Sequence, residues 1–257
     1  MEAAHLKILA LIPARGGSKS VPRKNLLQML GRPLLAWSIH HAQTSRYVDR
    51  VIVSTEDEEI AQVAKSWGAE TPFLRPTEFA QDLSPDIDVF YHALQWLQAN
   101  EDYVPDLVVH LRPTGPARRV SKIDEALEKI VNQPDADSLR SVSLAKQTPY
   151  KMWFLQDSAH MKPVIMHSAI KESHSVARQM LPEVYSQNGY VDIIRATSIL
   201  EKGSMVGNHT VPFVISEDVP DLDYWDDIPK VEAALRASLD GEDYSDQLHI
   251  DPDRCPV

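Results

Sequence analysis

The sequence has very little cysteine, and this scarcity excludes several kinds of structure. One of the 257 residues is a cysteine, Cys255, so no internal disulfide can form. Neither a C-x-x-C nor an H-x-x-x-H zinc pattern occurs, although the chain has ten histidines. A single cysteine fits a reducing compartment, and we expect the protein to be cytoplasmic.

Long apolar runs and a broad basic face are also missing. The longest apolar runs fall far short of the roughly 18 residues of a membrane span, so we expect no membrane partner. The formal net charge of -11 and the pI near 5.3 argue against general nucleic-acid binding. Two common nucleotide-binding motifs, G-x-x-x-x-G-K-[ST] and G-x-G-x-x-G, are absent as well.

A concentrated positive loop stands out in this acidic chain. Seven Lys or Arg and no Asp or Glu occur between residues 3 and 48. An apolar run predicts a buried strand at residues 8–13, and the chain then reads P-A-R-G-G-S-K-x-x-P-x-K-N over residues 13–25. Glycines let an anion approach the backbone, and the basic side chains supply donors. A loop of this kind at a strand end indicates a small polyanionic ligand.

Alternating strands and helices predict an α/β fold with a mostly parallel sheet covered on both faces. Predicted strands lie at residues 8–13, 51–54, 72–74, 107–111, 138–144, 190–195 and 211–215. Predicted helices lie at residues 34–44, 57–67, 86–100, 121–132, 196–201 and 224–239, with Ser121 as a possible N-cap. Ligands of such sheets bind at the carboxyl ends of the strands, where the positive loop and the loop at residues 112–119 both occur.

The alternation of strands and helices breaks down in one place. Short apolar groups separated by polar turns fill residues 147–190, which we interpret as an insertion. An acidic tail follows at residues 241–257. The sequence therefore predicts a single domain over residues 1–240.

Four sequence blocks, in order, resemble the acylneuraminate cytidylyltransferases, also called CMP-sialic acid synthetases. That family shows a closely similar P-A-R-x-G-S-K-x-x-P-x-K-N run. The other blocks are residues 54–82, LRPTGPAR at residues 111–118 and RQMLPEVYSQNGYV at residues 178–191. The resemblance covers residues 6–240 and implies a Rossmann-like, three-layer nucleotidyltransferase with a small dimerisation insertion. Such an enzyme couples CTP to the anomeric hydroxyl of a nonulosonic acid, giving a CMP-sugar and pyrophosphate.

The resemblance also implies which residues hold the nucleotide and assist the reaction. Phosphoryl-type transfer depends mainly on positioning and on charge neutralisation, so a cationic cradle plus Mg²⁺ suffices without a protein nucleophile. Lys24, Arg15 and Asp223 are the implied catalytic residues. The implied nucleotide-binding residues are Ala14, Arg15, Gly16, Gly17, Ser18, Lys19, Lys24, Asn25 and Arg75.

A magnesium ion is the implied cofactor. Asp221 and Asp223 match the family's D-x-D metal pair, and hard oxygen ligands suit Mg²⁺. On an extended segment residues i and i+2 point the same way, so both carboxylates can share an ion. The alternative is that these acids cap the following helix, a role that we assign to Asp226 and Asp227.

The acceptor sugar is the least determined part of the prediction. Its implied ligands are Arg112, Thr114, Lys151, Arg178, Gln187 and Asn188. In the family this region reaches across to the partner's site, so a homodimer is implied. Arg112 stands where the sialic-acid enzymes usually carry Gln, which leaves the exact sugar open. The alternatives are GTP as the nucleotide, a Kdo-like or phosphonate acceptor, or a non-catalytic nucleotide-binding regulator.

Overall fold

The first strand shows why an unbroken apolar run forms part of the sheet. Strand β1 spans Ile8–Pro13, as predicted. Ile8, Ala10 and Ile12 join one apolar cluster, whereas the side chains between them join a second cluster on the opposite face. Neither face of the strand meets water, so consecutive positions are apolar.

The computed structural model describes residues 6–239, so the predicted acidic tail at residues 241–257 lies outside the described residues. The strands are β1 (Ile8–Pro13), β2 (Gln28–Met29), β3 (Arg32–Pro33), β4 (Arg50–Ser54), β5 (Leu107–His110), β6 (Ser138–Leu144), β7 (Trp153–Leu155), β8 (Met161–Pro163), β9 (Tyr185–Arg195) and β10 (Thr210–Val214). The helices are α1 (Leu34–Thr44), α2 (Glu58–Ser66), α3 (Asp86–Glu101), α4 (Val120–Val131), α5 (Ala196–Leu200) and α6 (Ile228–Leu239).

The central sheet has six strands in the order β10-β6-β9-β5-β1-β4. β1 pairs in parallel with β4 and β5, and β10 pairs in parallel with β6. β9 alone runs antiparallel to its neighbours β5 and β6. The expected mostly parallel sheet is therefore confirmed. Its parallel strands bring the loops after β1, β4 and β5 to one edge.

Helices cover both faces of this sheet, which confirms the three-layer α/β architecture. One apolar cluster joins the sheet to α1, α2 and α4, and a second joins it to α3 and α5. A third cluster packs α6 against α1 and includes Leu222, which lies between the two predicted metal ligands. None of the helices within residues 6–239 has the length and apolar character to cross a membrane.

Several local predictions differ from the structure, among them the start of α6 at Ile228 rather than at residue 224. Residues 72–74 form no strand, because the bridge between Ile52 and Glu70 ends the pairing before they begin. Ser121 is not the N-cap of α4, since that helix begins one residue earlier, at Val120. β9 starts within the predicted insertion because Tyr185 already pairs with Leu144 of β6. The insertion also contains the antiparallel hairpin β7–β8, which its short apolar groups did not predict.

Candidate active site

The two glycines of the positive loop have different surroundings. The Gly16 N–H donates to Glu56 Oε1 at 2.7 Å. A Cβ atom at Gly16 would lie 3.1 Å from Asp57 Cβ and would overlap the Asp57 carboxylate. Nothing lies within 4 Å of a Cβ atom placed on Gly17. Close packing against Asp57 therefore requires glycine at position 16, whereas Gly17 borders open space.

Lys24 connects the positive loop to the predicted metal segment. It begins a single 3₁₀ turn after Arg23, which adopts the left-handed conformation with φ of 55°. The Lys24 side chain is almost buried, and its Nζ donates to the Leu222 carbonyl oxygen at 2.5 Å. The same Nζ lies 3.4 Å from Asp223 Oδ1. A buried ammonium requires such partners, so the two predicted halves of the site face each other.

A cavity of about 300 Å³ opens beside Lys24, and we call it the Lys24 cavity. Predicted nucleotide, metal and acceptor residues all contribute to its lining: Arg15, Ser18, Lys24, Asn25, Arg75, Arg112, Thr114 and Asp223. Four other residues predicted to bind the nucleotide do not line it: Ala14, Gly16, Gly17 and Lys19. The structure thus brings together most, but not all, of the predicted residues.

One carboxylate at the cavity rim was not predicted. Asp82 lines the Lys24 cavity, and its Oδ1 accepts from Arg15 Nη1 at 3.0 Å. Its other carboxylate oxygen pairs with the exposed ammonium of Lys19. The hydrogen bond from Lys19 is the largest cause that holds the pKa of Asp82 below its ordinary value. Arg15 and Lys19 of the positive loop therefore share the carboxylate of Asp82, the last residue of the second sequence block.

The remaining arginines of this region have distinct roles. Arg75 is almost buried, and its Nη2 donates to Glu56 Oε2 at 3.0 Å. Burial lowers the pKa of Arg75, and the Glu56 carboxylate opposes that effect. Arg23 pairs instead with Asp57 and Glu59 at the start of α2, and it does not line the Lys24 cavity.

A second and larger cavity of about 1000 Å³ adjoins β6, β9 and β10, and we call it the Asn188 cavity. Among the predicted residues, its lining includes Arg112, Gln187, Asn188 and Asp221. Polar side chains that were not predicted also line it: Ser143, Lys146, Tyr185, Ser186, Glu217 and Asp218. Such a wall of hydroxyl, amide and charged groups suits a polyhydroxylated ligand.

Two predicted acceptor ligands lie elsewhere within this chain. Arg178 lines a third cavity of about 370 Å³, where it donates to the carbonyl oxygens of Ala145 and Lys146. Lys151 ends the short turn Pro149–Lys151 and lines none of these three cavities. A single copy of the chain therefore does not bring Arg178 or Lys151 to the Asn188 cavity.

Arg112 lies where the Lys24 cavity and the Asn188 cavity meet. Its Nη1 donates to Asp192 Oδ2 at 2.8 Å, and its Nη2 donates to Asp86 Oδ2 at 3.2 Å. Burial acts to lower the pKa of Arg112, but these carboxylates outweigh it and keep the pKa above its ordinary value. Asp86 and Asp192 were not predicted, because no local motif contains them.

His110 ends β5 and lines the Lys24 cavity. Its ring is buried and packs edge-on against Phe90, with 4.7 Å between ring centroids. Burial, reinforced by nearby arginines, lowers the pKa of His110 well below its usual value. The side chain is consequently a neutral, packed imidazole.

The acidic pair fits a magnesium ion with few protein ligands. Asp221 and Asp223 are exposed on either side of buried Leu222, and each carboxylate lines a different cavity. Within residues 6–239, no group of three or more His, Cys, Asp or Glu residues could hold a metal ion. Mg²⁺ commonly takes one or two carboxylates, several waters and substrate phosphates, so this sparse donor set suits it. Asp227 has the capping role predicted for it, because its Oδ2 accepts from the N–H groups of Asp223 and Tyr224.

Sequence comparisons give a consistent set of relatives. A family model described as cytidylyltransferase matches residues 9–192. The pseudaminic acid cytidylyltransferase of Campylobacter jejuni is 31% identical over 225 residues, which cover 87% of this chain and 94% of that protein. The CMP-N,N'-diacetyllegionaminic acid synthase of Legionella pneumophila is 30% identical over 227 residues, covering 85% of this chain and 90% of that protein.

Solved structures share the fold. CMP:2-keto-3-deoxy-manno-octonic acid synthetase, complexed with CTP, superposes with a TM-score of 0.67 at 16% identity. The alignment covers 91% of this chain and all of that one. A 4-diphosphocytidyl-2C-methyl-D-erythritol synthase superposes with a TM-score of 0.61 at 14% identity. The chain thus shares its Rossmann-like α/β fold with these proteins.

Proposed function

The chain belongs to the cytidylyltransferase family, and we propose that it couples CTP to the anomeric hydroxyl of a sialic-acid-like nonulosonic acid. The products are the CMP-sugar and pyrophosphate. Relatives named for pseudaminic, legionaminic and N-acylneuraminic acids support this class of acceptor.

The adjoining pair of cavities is the observation that carries the proposal. Four basic side chains line the Lys24 cavity and can bind a triphosphate, and the larger Asn188 cavity has the polar wall that suits a sugar. Arg112 lines both, so ligands in the two cavities would meet beside it. Transfer between two substrates requires this proximity.

The reaction replaces one phosphorus–oxygen bond by another. The anomeric oxygen attacks the α-phosphorus of CTP, and the bond from that phosphorus to the bridging oxygen breaks as pyrophosphate leaves. Lys24 and Arg15 neutralise the negative charge on the phosphates, and a carboxylate of the Asp221–Asp223 pair accepts the hydroxyl proton. Lys24 is suited to this role because its partners already hold its ammonium in place.

Mg²⁺ is the proposed cofactor, and Asp221 and Asp223 are its proposed ligands. When bound, the ion would neutralise phosphate charge and help to orient the triphosphate. Chelation by EDTA should abolish turnover, and added Mg²⁺ should restore it. Asp223→Asn should raise the Mg²⁺ concentration needed for half-maximal rate. Full activity in excess EDTA would remove the metal from the proposal.

We also propose a cytoplasmic homodimer in which the insertion forms the contact. The hairpin β7–β8 exposes Phe154, Leu155 and Met161, and their apolar surfaces are available to a second copy. Such contact would bring Lys151 and Arg178, which belong to the insertion, close to the site of the partner subunit. Cytoplasmic CTP would be the nucleotide source.

The direct test is a matrix of nucleotides and acceptors with mass detection of the products. CTP, GTP and other nucleoside triphosphates would each be combined with N-acylneuraminic, legionaminic, pseudaminic and Kdo-like acids. CMP-sugar should form only with CTP and a nonulosonic acid. Preference for GTP or a Kdo-like acid would change the substrate assignment. Tight CTP binding without turnover for any acceptor would instead support a non-catalytic regulator.

Lys24→Met tests the proposed phosphate cradle within this assay. Loss of one preorganised charge should lower kcat by about 10²-fold or more. Arg23→Met is the matched control, because Arg23 is the adjacent cation but pairs with α2 rather than lining the Lys24 cavity. Equal losses in both variants, or near-normal kcat for Lys24→Met, would exclude Lys24 from the reaction.

A further inference from the structure

Arg112 is the one residue that lines both the Lys24 cavity and the Asn188 cavity in the described part of the chain. Its guanidinium forks between two carboxylates with very different surroundings. Asp192 is buried in β9, with a side chain 1% exposed, whereas the Asp86 side chain is 48% exposed. The hydrogen bond to Asp192 is also the shorter one, at 2.8 Å against 3.2 Å.

This contrast separates a fixed partner from an exchangeable one. The buried ion pair to Asp192 is costly to break, because the buried carboxylate would keep only the more distant Arg140, at 3.9 Å, as a charged partner. An exposed pair such as that to Asp86 contributes little to stability, because water screens it. Asp86 also lines the Lys24 cavity, so a ligand in that cavity can reach Arg112 Nη2, the nitrogen that donates to Asp86.

The chemistry of the acceptor brings a carboxylate to this junction. In a nonulosonic acid the anomeric carbon carries both the attacking hydroxyl and the carboxylate. When that hydroxyl approaches the α-phosphate in the Lys24 cavity, the carboxylate on the same carbon must lie beside it. A cation at the border is therefore needed to offset repulsion from the phosphate oxygens.

Other cations of the two cavities are less suited to this role. Lys24 is bound to Leu222 and lies beside Asp223, and Arg15 pairs with Asp82 at the rim. Lys146 lines only the Asn188 cavity, is largely exposed and pairs with Asp218. Arg112 alone has a planar fork at the border, and this shape matches a carboxylate.

We propose, on the basis of the function proposed above, that Arg112 binds the acceptor carboxylate in exchange for Asp86. The Asp192 arm stays bound and holds the guanidinium in place. Gln187 supports the same arm, because its Nε2 donates to Asp192 Oδ2 at 3.3 Å. Asp86 thus occupies the carboxylate position of the sugar until the sugar arrives.

The test combines variants with a change in the acceptor. Kinetics would be measured with the acid and with the same sugar carrying a carboxamide in place of the carboxylate. Wild type should prefer the acid by about 10- to 100-fold in kcat/KM, the range expected for a charged hydrogen bond. Arg112→Gln should reduce this preference to about twofold or less, because the amide has no charge to offer the carboxylate.

Asp86→Asn provides a second measurement that does not disturb the buried pair. Removal of the competing carboxylate should lower the acceptor KM by up to about fivefold, the equivalent of one exposed ion pair. Asp88→Asn is its control, because Asp88 lies in the same first turn of α3 and lines neither cavity. Acceptor KM should stay unchanged in that control.

Two results would overturn the proposal. The first is an acid-to-amide preference that persists in folded Arg112→Gln. The second is an acceptor KM that changes equally in Asp86→Asn and Asp88→Asn, or that changes in neither variant. Failure of the underlying function is a separate result, since wild type would then form no CMP-sugar with any acidic acceptor. Turnover by wild type without these responses would contradict the role of Arg112 alone.

Discussion

At the scale of single residues, the motif's side chains do not all act in the same place. Lys24 contacts the predicted metal segment at Leu222, whereas its neighbour Arg23 binds the start of α2. Lys19 belongs to the same short motif, yet it lies at the rim and pairs with Asp82. A sequence motif therefore indicates chemistry, and side-chain geometry decides which members carry it.

The glycine pair gives a residue-scale prediction. Gly16→Ala should lower the free energy of unfolding by about 1–3 kcal/mol, because the added methyl overlaps Asp57, which is itself held by Arg23. Calorimetry should show a melting temperature lower by about 2–4 °C for each kcal/mol lost.

Gly17→Ala is the matched control for that prediction. Its Cβ would meet open space, so the change should stay within about 0.5 kcal/mol. Equal destabilisation by both substitutions would show that backbone freedom, rather than contact with Asp57, explains the first glycine.

At the scale of elements, β9 joins the two parallel parts of the central sheet. It lies between β5 and β6 and runs antiparallel to both. It also supplies Asp192 to the Arg112 fork and Gln187 and Asn188 to the Asn188 cavity. The strand therefore places predicted acceptor residues beside the cavity predicted to bind the nucleotide.

The attachment of β10 gives a prediction about pH. Asp137, next to the start of β6, accepts from the Asn208 and His209 N–H groups and from Lys202. These bonds, that from Lys202 foremost, lower the pKa of Asp137 to about 2. Because the folded pKa lies below the ordinary value of 3.8, its stabilisation is complete above that value and is lost as pH falls towards 2.

Asp137→Asn should accordingly destabilise the protein at pH 6, and its difference from wild type should shrink between about pH 4 and 2. Urea unfolding at several pH values measures this difference. Asp135→Asn is the control, because that neighbouring carboxylate is 80% exposed. A destabilisation by Asp137→Asn that is the same at every pH would show that shape, and not charge, matters there.

At the scale of the whole molecule, exposed apolar surface is concentrated in the insertion. Nine of the nineteen exposed large apolar side chains in the described residues lie within residues 147–190. A stable interface usually buries about 1,200–2,000 Å² in total, and clustered apolar side chains are a source of such area. This distribution supports the proposed dimer.

Light scattering coupled to gel filtration tests that assembly. Wild type should have twice the 28.9 kDa mass of one chain. Leu155→Glu should give monomers that remain folded, because this side chain is 80% exposed in the single chain. Val131→Glu on α4 is the control and should remain dimeric. A dimer that persists in Leu155→Glu would place the interface elsewhere.

The sequence alone predicted the features that depend on neighbours along the chain. Apolar period and length predicted β1 and α1 with their bounds, and the glycine loop with its basic residues indicated an anion site. Asp221 and Asp223 are both exposed and Leu222 between them is buried, which agrees with the predicted alternation along this segment. Local periodicity suffices for these features because it reflects which side of the backbone meets water.

Tertiary structure alone decided how distant parts of the chain meet. It set the antiparallel direction of β9. It also brought Lys24 to Leu222, and Arg112 to Asp86 and Asp192, which are far apart in sequence. An apolar pattern is the same in either strand direction, and an isolated charge does not specify its partner. Packing of the three layers determines these contacts, because burial requires each charged group to find compensation wherever the fold places it.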